Sequence, residues 1–254
     1  MEEAGKYKAN IRIAEGMEEL SRRCLSQFLA EAKKAIEEKD VFTVAISGGK
    51  TPRRFYELLA ESPESEEINW EKIHLFWVDE RYVSKDSAAS NYRLAYDTFI
   101  SKVGIPDDNV HSISTEPRDY NEAARGYEQT MVRVFQLKKG DVPEFDLIIL
   151  GMGADGHTGS MFPGSCAGID SEELVCAVEV QGGEYNRISL TGKVLLAARL
   201  VIVLVAGKEK AEVLLKVVGA EKEDAMTYPI HILWSILDRV IWLVDREAAS
   251  LLVR

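Results

Sequence analysis

The chain has 254 residues and carries 31 Lys plus Arg against 42 Asp plus Glu, a formal net charge of −11. This acidic balance argues against general nucleic-acid binding, which needs a basic surface, and against attachment to an anionic membrane. The odd, low count of three cysteines (Cys24, Cys166 and Cys176) excludes a disulfide framework and favours reduced thiols in a cytoplasmic protein. No signal peptide, membrane span, repeat or linker is predicted, so we expect one domain over residues 1–254.

Apolar spacing predicts strands that alternate with helices. A helix is predicted over 18–38 and a buried strand over 41–46, after which Thr51 and Pro52 are expected to open a second helix as its N-cap and first residue. Further strands are predicted at 73–78, 145–150, 201–205 and 240–244, and further helices at 91–101, 119–137 and 192–198. The alternation indicates an α/β protein with a parallel sheet that is covered by helices on both faces.

Ligands of such sheets bind beyond the carboxyl ends of the strands, so the residues after each strand are the candidate site. The first strand is followed by Ser47-Gly48-Gly49-Lys50-Thr51-Pro52. Paired glycines let the backbone approach a ligand, and the next helix offers free N–H groups and a positive dipole end. The segment is either a phosphate-binding loop or an ordinary tight turn. It is not a Walker A loop, because Val44 stands where that motif needs glycine.

The second strand is followed by Asp79-Glu80-Arg81. Three charged residues at the end of an apolar strand would be costly if they were buried without partners. The segment either forms a solvated loop with a local ion pair or places a carboxylate and a guanidinium at the mouth of the sheet. Its position favours the second interpretation.

A glycine-rich loop over residues 151–164 follows the third strand. Its glycines match the dinucleotide fingerprint G-x-G-x-x-G, but Pro163 would interrupt the long helix which that fingerprint should open, so nucleotide binding is disfavoured. Asp155 and His157 have instead the spacing of an orienting carboxylate and a general base. His74, His111 and His231 lie in or beside apolar runs and are predicted to be structural. No zinc-type Cys/His spacing, G-x-S-x-G elbow or H-E-x-x-H motif occurs.

Taken together, five segments resemble the 6-phosphogluconolactonase family. They are SGGKTP (47–52), DERYV (79–83) with SNY (90–92) after it, GMGADGHTGSMFPG (151–164), RISLT (187–191) and WLVDREAA (242–249). The resemblance implies a Rossmann-like three-layer α/β/α domain, as in glucosamine-6-phosphate deaminases. It also implies hydrolysis of 6-phospho-D-glucono-1,5-lactone to 6-phospho-D-gluconate, with no cofactor or metal.

Two differences distinguish the chain from the related deaminases. Arg81 stands where the deaminase motif has Tyr, and residues 158–162 lack the Glu that supports the ring-opening histidine of a deaminase. Three alternatives remain open from the sequence: an amino-sugar-phosphate deaminase or isomerase, a sugar-phosphate-binding module, and a nucleotide-dependent oxidoreductase that rests on the glycine match alone.

The resemblance assigns expected roles to ten residues. His157 would activate water, Asp155 would orient the histidine or a sugar hydroxyl, Arg81 would hold the phosphate or an oxyanion, and Asp79 would position Arg81 or a hydroxyl. The phosphate would be held by Gly48, Gly49, Lys50, Thr51 and Arg187, with Lys193 as a further candidate. The expected partner is a sugar-phosphate lactone, without nucleic acid or membrane, and the chain would be a monomer or a small homo-oligomer.

Overall fold

The computed structural model describes residues 8–116, 119–164, 168–180 and 182–252. Its strands are β1 (Asn10–Ala14), β2 (Phe42–Ile46), β3 (Ile73–Trp77), β4 (Asp79–Arg81), β5 (Val110–His111), β6 (Leu147–Gly151), β7 (Val175–Val178), β8 (Arg187–Leu190), β9 (Val201–Val205) and β10 (Val240–Asp245). Seven of them form a parallel sheet in the order β1-β10-β9-β6-β2-β3-β5, and β4-β8-β7 form an antiparallel sheet.

The helices are α1 (Met17–Lys39), α2 (Arg53–Glu61), α3 (Asn91–Thr98), α4 (Tyr120–Val134), α5 (Gly192–Ala197) and α6 (Ala211–Val218). Shorter 3₁₀ segments include Ile100–Lys102, Lys208–Lys210 and Pro229–Arg239. None of the described helices has the length and apolar character that crossing a bilayer requires.

The central strands are apolar on both faces because helices cover both sides of the sheet. Every residue of β2 and of β9 is buried. On α1, apolar residues at helical spacing turn toward the sheet, and the ring of Phe28 meets that of Phe42 edge-on at 5.4 Å between centroids. This burial of aromatic and branched side chains is the main force that holds the helices against the strands.

The predicted α/β class with a mostly parallel sheet is confirmed. The strand predicted at 201–205 is β9, and the helix predicted over 18–38 is α1, one residue longer at each end. The helix predicted over 91–101 ends at Thr98, and a 3₁₀ turn follows it. Five strands were not predicted from the sequence, namely β1, β4, β5, β7 and β8, and with them the whole antiparallel sheet was missed.

The predicted start of the second helix is wrong by one position. Pro52, not Thr51, is the N-cap of α2, and no side chain caps this end. The reason is a turn in which the N–H of Arg53 donates to the carbonyl of Lys50 at 3.3 Å. That turn occupies the residues that would otherwise form the first helical positions, so the Thr51 hydroxyl is not needed as a cap.

Candidate active site

A pocket of about 350 Å³ opens at the carboxyl ends of β2, β6 and β9. It is lined by Ser47, Gly48, Gly49, Lys50, Thr51, Pro52, Asp79, Arg81, Asn91, Gly151, Met152, Gly153, Ala154, His157, Gly159, Glu209 and Lys210. Three strand-end loops and β4 thus form its walls. A larger groove of about 570 Å³ lies between α4 and β7 and contains none of the predicted site residues.

The first wall is the loop between β2 and α2, defined here as residues 47–52 and called the glycine loop. The hydroxyl of Tyr56 on α2 donates to the carbonyl of Ser47 and anchors the start of the loop. Gly49 has a φ of 99°, which favours glycine. A Cβ on Gly48 would overlap the buried side-chain amide of Asn91, so the loop must pass directly over that amide.

The second wall is β4, whose orientation depends on Glu80. This carboxylate is buried and accepts hydrogen bonds from the N–H of Arg81, the N–H groups of Asn91 and Tyr92, and the hydroxyl of Ser90. Burial raises the pKa of Glu80, and the hydrogen bonds oppose that effect. Because three of these donors belong to the start of α3, Glu80 fixes β4 to that helix and so fixes the place of Arg81.

Asp79 and Arg81, the other charged residues of β4, both line the pocket. Asp79 accepts a hydrogen bond from the Ser160 hydroxyl at 2.6 Å and lies 3.4 Å from the amide nitrogen of Asn91. Arg81 Nη1 donates to the carbonyl of Ala89 at 2.7 Å. The Arg81 guanidinium makes no other hydrogen bond within the described ranges, so its remaining N–H groups can bind an anion.

The third wall is the loop over residues 151–164, called here the histidine loop. Its turn closes where the N–H of Gly153 donates to the carbonyl of His157 at 2.8 Å. Gly156, at a φ of 83°, lies against the ring of Tyr228 and accepts a backbone hydrogen bond from Ile230 at 3.1 Å. Gly156, Tyr228 and Ile230 are not part of the pocket lining, so these contacts hold the loop without occupying the pocket.

Asp155 and His157 form a hydrogen-bonded pair on the histidine loop. Nδ1 of His157 lies 2.6 Å from Oδ1 of Asp155, and the backbone N–H of His157 donates to the same oxygen at 3.2 Å. The bond to His157 lowers the pKa of Asp155 to about 2. An ionised Asp155 accepts a hydrogen bond from the Nδ1–H group, which leaves Nε2 as the free basic nitrogen of the ring. The same ring lines the pocket and packs 4.9 Å from Phe162.

Seven of the ten predicted site residues line this pocket: Gly48, Gly49, Lys50, Thr51, Asp79, Arg81 and His157. Asp155 joins the site through His157. Arg187 is not part of the lining, but it lies directly opposite Arg81 in the β4–β8 ladder. Lys193 is not brought to the pocket. It stands at the start of α5, and its ammonium group donates to the carbonyl of Glu172.

The sequence analysis missed three polar residues of the lining. Glu209 and Lys210 follow β9, a strand that was predicted without any ligand-binding residue at its end. Asn91 begins α3; the sequence placed it in the motif that follows Arg81, but it was given no role in the site. The rule that sites lie beyond strand ends would have found Lys210 but not Asn91, since Asn91 reaches the pocket through the fold of β4 against α3.

The other three histidines lie outside the pocket. His74 and His111 stack at 5.2 Å between ring centroids and share a hydrogen bond of 2.9 Å between Nδ1 and Nε2. His231 is fully buried, with its Nε2 bonded to the carbonyl of Val217 and its Nδ1 accepting from the N–H of Asp224, both at 2.9 Å. Within the described ranges, no group of three or more His, Cys, Asp and Glu side chains could hold a metal ion.

The chain is similar to known proteins over most of its length. The sequence pattern of the family described as glucosamine-6-phosphate isomerases/6-phosphogluconolactonase matches residues 15–242. A 6-phosphogluconolactonase of Synechocystis sp. is 38% identical over 231 residues, which are 91% of this chain and 93% of the relative. The chloroplastic 6-phosphogluconolactonase 3 of Arabidopsis thaliana is 36% identical, over 89% of this chain and 70% of the relative.

A solved structure of 6-phosphogluconolactonase from Trypanosoma cruzi superposes with a TM-score of 0.84 at 26% identity and covers 98% of each chain. A monomeric glucosamine-6-phosphate deaminase at 23% identity superposes with a TM-score of 0.79, which shows a common fold. The chain belongs to the glucosamine-6-phosphate isomerase/6-phosphogluconolactonase family.

Proposed function

We propose that the chain hydrolyses 6-phospho-D-glucono-1,5-lactone to 6-phospho-D-gluconate, a step of the oxidative pentose phosphate pathway. The observation that carries the proposal is the Asp155–His157 pair, whose histidine ring faces a pocket that also holds Arg81 and the glycine loop. A base and an anion-binding wall in one pocket suit a phosphorylated substrate with a reactive carbonyl. The names of the Synechocystis and Arabidopsis relatives support the same reaction.

Ring opening needs no covalent nucleophile, because a lactone is an activated ester. Nε2 of His157 takes a proton from a water molecule as the water oxygen bonds to the lactone carbonyl carbon. The tetrahedral intermediate then expels the ring oxygen, and the proton on Nε2 passes to that oxygen as the carbon–oxygen bond breaks. General acid–base assistance of this kind is worth about 10²–10⁴-fold.

Asp155 supports this step in the proposed mechanism by holding the tautomer of His157. Its carboxylate accepts a hydrogen bond from the Nδ1–H group and stabilises the imidazolium that forms when Nε2 is protonated. Because its pKa is about 2, Asp155 stays ionised throughout the neutral range. The carboxylate is half-exposed, so the pair is a catalytic arrangement rather than a large source of folding stability.

The substrate phosphate would lie between the glycine loop and the basic side chains of the pocket. Gly48, Gly49, Lys50 and Thr51 offer the loop backbone ahead of α2, whose N-terminal N–H groups favour an anion. Lys210, at the start of α6, adds a cation that the sequence analysis did not identify.

Arg81 and Arg187 would add guanidinium groups on the β4 side of the pocket, where they bind the phosphate or the oxyanion of the intermediate. Lys193 has no place in this proposal, because its ammonium group is engaged outside the pocket. Local cations of this kind, rather than the net charge of −11, attract an anionic substrate, since screening limits charge effects to about 8 Å at physiological salt.

A lactonase assay tests the proposal. Glucose-6-phosphate dehydrogenase generates the lactone in place, and 6-phosphogluconate dehydrogenase reports the product through a second NADPH. The wild-type chain is expected to accelerate product formation over buffer, in which the lactone opens by itself. His157→Ala is expected to lose about 10²–10⁴-fold of that acceleration. His74→Gln, a change outside the pocket, is the matched control and should keep wild-type activity.

The outcomes separate reaction from mechanism. If His157→Ala accelerates lactone opening as much as the wild-type chain does, the proposed lactonase function stands but His157 is not its general base. No acceleration by the wild-type chain would overturn the function, and release of ammonia from glucosamine 6-phosphate would then identify a deaminase. Tight binding of sugar phosphates without turnover would identify a binding module.

We propose a cytoplasmic protein that binds neither nucleic acid nor membrane and acts as a monomer or a small homo-oligomer. The support is its acidic composition and its buried thiols at Cys24 and Cys176, neither of which forms a disulfide. Cell fractionation tests the location, and sedimentation velocity measures the assembly.

A further inference from the structure

A buried hydrogen bond joins the histidine loop to β4, the strand that carries Arg81. The hydroxyl of Ser160 donates to Oδ2 of Asp79 over 2.6 Å, although the two residues lie 81 positions apart in the chain. Ser160 is 1% exposed and Asp79 is 8% exposed. A hydrogen bond to a carboxylate is short and strong, and it strengthens where water is excluded. The bond therefore determines how far the histidine loop stands from β4.

Ser160 also contacts the neighbouring strand through its backbone. Asp79 and Ser189 lie opposite each other in the β4–β8 ladder, and the N–H of Ser160 donates to Oγ of Ser189 over 3.2 Å. The hydroxyl of Ser189 in turn donates to the carbonyl of Leu190 over 3.0 Å. Because Ser160 bonds both members of one cross-strand pair, the loop cannot shift along the strands without breaking two hydrogen bonds.

Asp79 is held on its other side by Asn91. Nδ2 of Asn91 donates to the carbonyl oxygen of Asp79 at 2.8 Å and lies 3.4 Å from Oδ1 of its carboxylate. Oδ2 of Asp79 thus accepts the hydrogen bond of Ser160 and Oδ1 faces Asn91, so both carboxylate oxygens contact other side chains of the protein. These contacts favour a positioning role for Asp79 over direct contact with substrate.

The link from Ser160 to the catalytic histidine is short and stiff. His157 stands three residues before Ser160, and the intervening Thr158 is fully buried with its hydroxyl bonded to the carbonyl of Gly151 at 2.9 Å. A backbone bridge joins Thr158 to Met161 across the same turn. A shift of Ser160 is therefore transmitted to His157 instead of being absorbed by the loop.

We propose that Ser160 is a positioning residue that sets the place of His157 relative to Arg81 through its bond to Asp79. The inference rests on the proposed function, because it assigns a part in the same reaction. A displacement of about 1 Å in a catalytic group can lower a rate on the order of 100-fold. The hydroxyl of one buried serine thus controls the rate of the chemical step without touching the substrate.

The test is the kinetics of Ser160→Ala. We expect kcat to fall about 10- to 100-fold while KM changes little, because the glycine loop is untouched. Ser21→Ala is the matched control, since Ser21 is fully buried on α1 and its hydroxyl has no partner among the described residues. It also loses one buried hydroxyl, and it should keep the wild-type kcat.

A double mutant separates positioning from general structural damage. If Ser160 acts through His157, Ser160→Ala should have no further effect on the residual rate of His157→Ala. An unchanged kcat in Ser160→Ala, or the same fold loss in the His157→Ala background, would overturn the inference.

A further variant covers the case in which Ser160→Ala does not fold. Ser189→Ala removes the acceptor of the Ser160 N–H and the bond that the Ser189 hydroxyl donates to the carbonyl of Leu190, and it leaves the Ser160 hydroxyl and Asp79 in place. We expect it to lower kcat by a smaller factor, again with little change in KM, and a wild-type kcat there would also overturn the inference. The proposed function fails separately, when the wild-type chain itself does not accelerate lactone opening.

Discussion

Arg81 and Arg187 lie directly opposite each other in the antiparallel β4–β8 ladder. Side chains at such positions share one face of the sheet, and like charges there repel. Burial, and then the positive charge of Arg81, lower the pKa of Arg187 below its usual range. An anion bound between these two arginines at the edge of the pocket would relieve the repulsion between their guanidinium groups.

Phosphate is therefore expected to stabilise the chain. We expect phosphate to raise the melting temperature over chloride at matched ionic strength, because it binds only the folded state. Arg187→Gln should lose more than half of that increase. Arg22→Gln, on the exposed face of α1, is the control and should keep the increase. An equal response in all three proteins would show that the arginine pair is not an anion site.

Removing the charge of Asp155 should impair the chemical step. In Asp155→Asn the amide can donate to Nδ1 of His157, which would place the ring proton on Nε2 and remove the free base. We expect kcat to fall about 10²–10⁴-fold, the range for loss of general base catalysis. Because the pKa of Asp155 is about 2, the difference from wild type should persist from pH 5 to pH 9.

Asp238→Asn is the control for that charge change, since Asp238 is exposed outside the pocket. Its kcat should equal that of the wild-type chain. If Asp155→Asn also kept the wild-type kcat, the carboxylate would serve the folding of the loop alone, and an increase in KM alone would instead assign Asp155 to a substrate hydroxyl.

The sequence predicted those parts of the site that follow apolar strands. Phe42–Ile46 is a continuous apolar run and is buried on both faces. Because several such runs alternate with helices, the sequence indicated a parallel sheet. Ligands of such sheets bind beyond the strand ends, so the glycine loop and the histidine loop were predicted as parts of the site. Candidate ligand-binding residues at the strand ends could then be identified from the sequence, without knowledge of their tertiary contacts. Lys210 also follows a strand, β9, so it could have been predicted in the same way.

The antiparallel sheet could not be predicted in this way. The three residues of β4 are all charged, and they form a strand because β8 and the start of α3 supply their partners. Asn91 and Ser160 reach Asp79 through that arrangement alone. Contacts between residues so distant in the chain depend on tertiary structure, and no periodicity in the sequence encodes them.

Gly48 should not tolerate a side chain. A Cβ there would overlap Oδ1 of Asn91, whose side chain is buried and cannot swing away. We expect Gly48→Ala to lower kcat/KM roughly 10- to 100-fold by displacing the glycine loop. The control is Gly16→Ala, where nothing lies within 4 Å of the added Cβ. It should leave kcat/KM unchanged.

A double mutant identifies the cause of that loss. In an Asn91→Ala background the space beside Gly48 is open, so adding Gly48→Ala should cost much less than it does in the wild-type chain. If the two losses multiplied in full, the clash with Asn91 would not be the reason for glycine at this position.

Acid should destabilise the fold through His111. Burial first, and then the neighbouring His74 and Arg133, lower the pKa of His111 to about 4, against about 6.5 in an unfolded chain. Between these two values the unfolded state binds a proton that the folded state does not, so the free energy of unfolding falls as pH falls from 6.5 to 4. From pH 7 to pH 5 the loss due to this residue is about 2 kcal/mol.

Urea unfolding at pH 7 and pH 5 measures this loss, with His111→Gln as the comparison. The variant lacks the titrating ring, so its free energy of unfolding should fall by roughly 2 kcal/mol less than that of the wild-type chain over the same interval. Carboxylates contribute equally to both proteins and cancel in the difference. The ring of His111 also packs 4.4 Å from Phe76, so the variant will be less stable at both pH values. The pH dependence, not the absolute stability, therefore decides the outcome, and an equal pH dependence in the two proteins would contradict the assignment to His111.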